Sequence, residues 1–320
     1  MTNRLISLAL GAILTICVSA TGEADEYTAL AFSPDSAALV TGWSNGRKRH
    51  EVRFHRAADG QPLFGFRTRG KVEQLAFSAD GGSLATLQTM RGTKKRIEIW
   101  DVESSTALNS TIVDSVSPFG HDQLALFGSV ETAAVARTGK PSILWNYGAG
   151  KKKLQRTWTN SFARTTNDRI MAYGDGTSVQ VRRIVDGKPI STLPSSSSSS
   201  PTGLAFGDGN KRIAVARGVN VEIWSARQGD RQRVLRAPDY VKGLAFQPWG
   251  VRVAIASWDN PILIYNARTG ARLLRLRADD LDWYEDVAIA NKGARVAGLT
   301  LLGRIRVWNS LSGKPLYSLP

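Results

Sequence analysis

Hydrophobic positions fall into two settings along this chain. Near the start, one uncharged and largely apolar run extends from Leu5 to Val18. After it, apolar residues come in short groups that alternate with polar ones and are broken by Gly, Pro, Asn, Asp and Ser. Alternation with β-branched enrichment predicts strands, and the turn residues between them predict tight connections. No later segment carries an apolar stripe of helical period.

The groups recur. One pattern is an apolar triplet that enters a polar turn: Leu30-Ala31-Phe32-Ser33-Pro34-Asp35, Leu75-Ala76-Phe77-Ser78-Ala79-Asp80, Leu204-Ala205-Phe206-Gly207-Asp208 and Leu244-Ala245-Phe246-Gln247-Pro248. A second is an alternating strand, in most copies closed by an aromatic, as in Ile97-Glu98-Ile99-Trp100, Val221-Glu222-Ile223-Trp224 and Ile305-Arg306-Val307-Trp308. Its closing positions are 54, 100, 145, 182, 224, 265 and 308, spaced 37 to 46 residues apart. A turn glycine follows most of them (Gly60, Gly150, Gly187, Gly229, Gly270 and Gly313), and then a further short strand. Each unit thus holds four strands and cannot bury both its faces alone. Seven such units close into a ring. The expected fold is all-β, a seven-bladed β-propeller of four-stranded antiparallel blades over residues 21–320.

The Ala-Phe-Ser-Pro-Asp turn and the Ile-x-Ile-Trp strand resemble those of the WD-repeat family of seven-bladed propellers over roughly residues 27–319. The chain also departs from that pattern. Trp100-Asp101 is its one Trp-Asp pair at a closing strand, and no unit carries the Gly-His dipeptide in its usual place. The family's buried polar tetrad is therefore not expected. Periplasmic propellers of the TolB type share the Ala-Phe-Ser-Pro-Asp turn and are a near neighbour. Strand order runs first to fourth within each unit, which leaves open how the ring is closed.

The leader changes where this domain is expected to work. Fourteen apolar residues make a helix of about 21 Å, short of the roughly 30 Å of bilayer hydrocarbon. Val18-Ser19-Ala20 supplies small residues at a cleavage site. Residues 1–20 therefore read as a cleaved secretion signal, and the location as periplasmic or extracellular, with no transmembrane segment in the mature chain. The single cysteine, Cys17, lies inside that leader, so thiolate zinc sites and disulfides are excluded from the remainder. Lys and Arg total 42 against 27 Asp and Glu, a net +15 that falls to +14 without Arg4. That excess suggests anionic partners. Secretion argues against nucleic acid and for an unknown protein or an anionic envelope component.

Candidate chemistry is sparse. Gly42-Trp43-Ser44-Asn45-Gly46 has nucleophile-elbow spacing but sits between two strands, with no helix to follow. Gly148-Ala149-Gly150-Lys151 lacks the spacing of a phosphate loop. His50 and His55 are five apart on one strand and point to opposite faces. No catalytic residue, metal site or cofactor is predicted. A hydrolase or lyase working in the central channel remains the alternative class, and a TolB-like envelope assembly factor the alternative scaffold.

Binding is the leading expectation. In such a ring, turns between second and third strands share one face with the links between blades. On that face the sequence places a basic arc, Arg47, Lys48, Arg49, Arg91, Lys94, Lys95 and Arg96, opposed by acidic residues 279–286. Trp43, Tyr240, Trp258 and Trp283 are expected at the same face as exposed interface anchors.

Overall fold

The computed structural model describes residues 25–319, apart from 47–48, 91, 115–121, 138–139, 156–160, 196–197, 259, 278–282 and 293. Residues 1–20, expected to be a leader, lie outside the described residues. The rest forms seven four-stranded antiparallel sheets, at 26–68, 71–114, 123–155, 162–193, 203–236, 241–276 and 284–319. In every sheet the strands pair in chain order, first to fourth. First strands of neighbouring blades touch one another around the whole ring, including Glu26–Phe32 of blade 1 with Tyr284–Ile289 of blade 7. They form the inner wall.

Burial follows strand parity. Leu39 and Trp43 of blade 1 face blade 7, while Val40 of the same strand faces blade 2. The second and third strands are buried on both sides, so almost all the apolar surface sits between blades. Fourth strands form the outer edge and are largely exposed, as at Pro62–Thr68 and Thr106–Asp114.

The recurrent polar turn has a local cause. Ser33 Oγ accepts from Ala38 N at 2.9 Å, and Asp35 Oδ1 accepts from Ala37 N at 3.0 Å. Ser78 and Asp80 repeat the arrangement with Ser83 N at 2.9 Å and Gly82 N at 3.1 Å. Both carboxyls are held below the usual aspartate range, first by the hydroxyl of the preceding serine and then by these amides. The serine and aspartate thus satisfy backbone donors that the turn leaves without a strand partner.

Two blades hold buried polar chains that the missing dipeptides did not suggest. In blade 2, Gln88 Nε2 bridges Thr86 Oγ1 at 2.8 Å and Glu98 Oε2 at 2.9 Å, while Trp100 Nε1 donates to Thr86 at 3.3 Å. In blade 5, Glu222 accepts from Trp224 Nε1 at 3.1 Å and pairs with Arg217 and Arg231 at 3.3 Å each. The signal was the glutamate two residues before each tryptophan, which alternation places on the same face. Among the described residues, no strand is shared to close the ring. Blades 7 and 1 meet through side-chain packing and hydrogen bonds between turns.

Candidate functional site

Four of the seven innermost strands carry a β-bulge at the same place. Register shifts insert Thr28 and Glu73 between the second and fourth residues of their strands, and Lys242 and Glu285 between the first and third of theirs. A bulge re-aims a side chain that would otherwise follow the pleat. All four lie at the start of an inner strand, on the face that carries the links between blades. Thr28 Oγ1 donates to the Val72 carbonyl at 2.5 Å, and Glu73 receives Lys95 at 2.6 Å.

At blade 6 the re-aimed residue meets aromatics. Lys242 Nζ lies 4.3 Å from the ring centroid of Trp258. Trp258 packs on Trp283 with centroids 5.1 Å apart and planes tilted by 44°. The pair is held by backbone contacts. Trp258 N donates to the Tyr240 carbonyl at 3.3 Å, and Leu301 N donates to the Trp283 carbonyl at 2.7 Å. Tyr240 stands beside them with 62 % of its surface exposed. Trp258 and Trp283 are half-buried. Tyr284, next in the chain, is fully buried and stacks edge-on against Trp308, anchoring the link from below.

Asp286 follows the Glu285 bulge in the same inner wall. Its backbone runs close to blade 6, and its carboxyl accepts from Val287 N at 2.8 Å and is pushed up to about 6, first by burial and then by the neighbouring Glu285 charge. Gly243 makes this approach feasible: a Cβ there would lie 2.9 Å from Asp286 Cα and from Val287 N. The arrangement can hold a ligand against an electron-rich aromatic pair with one ammonium and one titratable carboxyl nearby. Sequence reasoning identified Tyr240, Trp258 and Trp283 and counted Asp286 in the acidic sector of this face, but missed Lys242, whose orientation depends on a bulge that no residue pattern announced.

The basic arc is distributed differently from the expectation. Arg49 and Lys94 are exposed, and Arg96 is half-buried with its guanidinium 2.9 Å from Ser110 Oγ. Arg47, Lys48 and Arg91 lie outside the described residues. Lys95 departs from a surface role. It is 5 % exposed and sits between Glu73 at 2.6 Å and Asp122 at 3.1 Å. Burial pulls its ammonium pKa down, yet the two carboxylates outweigh that and the net direction is up. The surface position expected of Trp43 is also corrected. Trp43 is 5 % exposed because it shares its strand face with Leu39, and Arg53 covers its ring at 3.5 Å. Of the acidic sector, Asp279, Asp280 and Asp282 are outside the described residues. Ser44 of the elbow-like motif is fully buried and 3.0 Å from His50 Nδ1, its partner across the strand pair. A hydroxyl sealed in this way is not open to attack a substrate.

No protein-family model matches the sequence, and no curated protein does. Among solved structures, the β-propeller domain of Cps50 (Swd1) from Myceliophteria thermophila aligns with a TM-score of 0.73, covering 89 % of this chain and 97 % of that one at 15 % identity. At that identity the likeness is one of fold, a β-propeller.

Proposed function

We propose that this protein is a non-enzymatic binding propeller that docks an anionic partner, an acidic protein segment or envelope component, outside the cytoplasm. The carrying observation is the Trp258–Trp283 pair with Lys242 above it, on the face that also carries exposed Arg49, Lys94 and Tyr240. Partly exposed aromatics held by backbone contacts lose little conformational freedom on binding, which suits them as anchors. Scattered cations on the same face raise the encounter rate with an anion in a salt-dependent manner. The extracytoplasmic part of the reading rests on the leader sequence alone.

Affinity capture from envelope extract tests the proposal. Wild-type protein is compared with Trp258→Ala/Trp283→Ala and with Lys242→Glu/Lys94→Glu, each first shown to melt cooperatively. The same proteins should be lost or weakened in both variants, and their recovery from wild type should fall between 50 and 300 mM salt. Unchanged recovery with both variants would refute the assignment of this face.

A further inference from the structure

The opposite face carries a pocket of a different kind. It has a volume of about 480 Å³ and is lined by Asn167, Arg169, Lys211, Arg227 and Trp249, with Ile170, Gly209 and Asn210 completing the wall. That volume lies in the range of small-ligand sites. We propose that this pocket binds an acidic oligosaccharide, its carboxylates held by the three cations and one sugar ring laid on Trp249.

The walls are fixed before any ligand arrives. Three successive turns, from blades 4, 5 and 6, are tied together across blade boundaries. Thr166 and Asn210 exchange hydrogen bonds at 3.4 and 3.3 Å. Gly209 N donates to the Pro248 carbonyl at 2.8 Å, and Asp208 N to the Gly250 carbonyl at 3.0 Å. Ala226 N donates to the Lys211 carbonyl at 2.9 Å, which brings the Arg227 turn alongside. Trp249 stands 60 % exposed on this frame, and its ring edge is in van der Waals reach of the bare Gly209.

The electrostatics favour an anion. Asp168 and Asp208, each beside a lining residue in the chain, are already engaged elsewhere. Asp208 is paired with Arg212 and, at 2.6 Å, with Arg268. Asp168 accepts Ser129 N at 2.8 Å and has Arg164 at 3.8 Å. Among the described residues, Arg169, Lys211 and Arg227 have no carboxylate partner, and all three are exposed. Arginine forks match carboxylates in a bidentate fashion.

The choice of a sugar over a peptide follows from the backbone and the aromatic. Turn amides here are spent on neighbouring turns, so no strand edge is offered to an extended peptide. Trp249 presents one electron-rich face, which suits the C–H face of a pyranose. Asn167 uses its carbonyl within its own turn, which leaves its NH₂ to donate to a hydroxyl.

Calorimetric titration of the full chain at low salt, with trigalacturonate as probe, tests this site. Maltotriose serves as the neutral sugar and hexaglutamate as the acidic peptide. Trigalacturonate should bind in the micromolar to millimolar range, weaken severalfold in 300 mM salt, and lose at least tenfold in affinity with Trp249→Ala and with Arg169→Ala/Arg227→Ala. Trp258→Ala/Trp283→Ala, on the other face, should leave it unchanged, so this result stands apart from the proposal for that face. Equal binding of maltotriose, equal or tighter binding of hexaglutamate, or full affinity in a folded Trp249→Ala variant would each overturn the assignment.

Discussion

Lys95 shares its strand face with Ile97 and Ile99, so its ammonium enters the packing between blades 2 and 3 and ends between Glu73 and Asp122. Removing the charge leaves two carboxylates facing each other in a poorly solvated gap. Breaking a buried pair in this way costs about 3–5 kcal/mol. Lys95→Met should therefore lower the urea midpoint strongly, whereas Lys94→Met, one residue earlier and exposed, should leave it within about 0.5 kcal/mol. Asp286 presents the reverse case. Its pKa is about 6 in the fold against about 4 in an unfolded chain, so the folded state is penalised whenever the carboxyl is charged. The penalty is full above pH 6 and is relieved as pH falls from 6 towards 4. Asp286→Asn should be more stable than wild type at pH 8, by about 1–3 kcal/mol from roughly two pKa units, and equal to it near pH 4. Urea melts at the two pH values decide this. The same advantage at both would mean that the carboxyl charge is not the cause.

Within the strands, the alternating Ile-Glu-Ile-Trp runs announced both where a blade's third strand lies and which residues share its faces. Glu98 and Glu222 meet their tryptophans or the residues beside them for that reason. Lys95 and Trp43 could have been placed by the same parity, since each continues the buried face of its strand. The bulges were not legible. They fall at a threonine, a lysine and two glutamates, Thr28, Lys242, Glu73 and Glu285, so no single residue type marks them. Lys242 was missed as a site residue for the same reason. The glycine after the blade 6 bulge can be tested directly. A Cβ at Gly243 meets blade 7 backbone at 2.9 Å, while one at Gly203 meets only side-chain carbons, the nearest at 3.5 Å. Gly243→Ala should cost about 1–3 kcal/mol through overpacking. Gly203→Ala should be close to neutral in the same thermal melt. Equal melting of the two variants would contradict the close approach of the inner strands.

Across the whole ring, the seam between blades 7 and 1 is built as the other junctions are, by packing of complete blades. Tyr27, Leu30 and Trp43 interdigitate with Leu299, Val307 and Leu319. Tyr317 reaches across to the Ala57 carbonyl at 3.0 Å, Asn291 to the Pro34 carbonyl at 2.9 Å, and Tyr27 N to the Gly303 carbonyl at 2.8 Å. Burial drives the Tyr317 hydroxyl up to about 12, so this contact stays in its donor form through the ordinary pH range. Because no blade borrows a strand, the place where the chain opens is not fixed by topology. The link between blades 4 and 5 is the natural second opening, because it lies between complete sheets. A circular permutant that starts at residue 198, joins 319 to 25 through a Gly-Ser linker and ends at 195 keeps every blade intact. It should fold as a monomer with a β-rich circular dichroism spectrum and a melting temperature within a few degrees of the parent. The covalent tie gained at the old seam offsets the one lost at the new, since loop-closure entropy changes only slowly with loop length. Opening the chain inside blade 5, at the turn near Gly218, splits a sheet of six-residue strands and should lower the melting temperature further. If the between-blade permutant failed to fold, or assembled only as an exchanged dimer, the native seam would be doing something that the six other junctions do not.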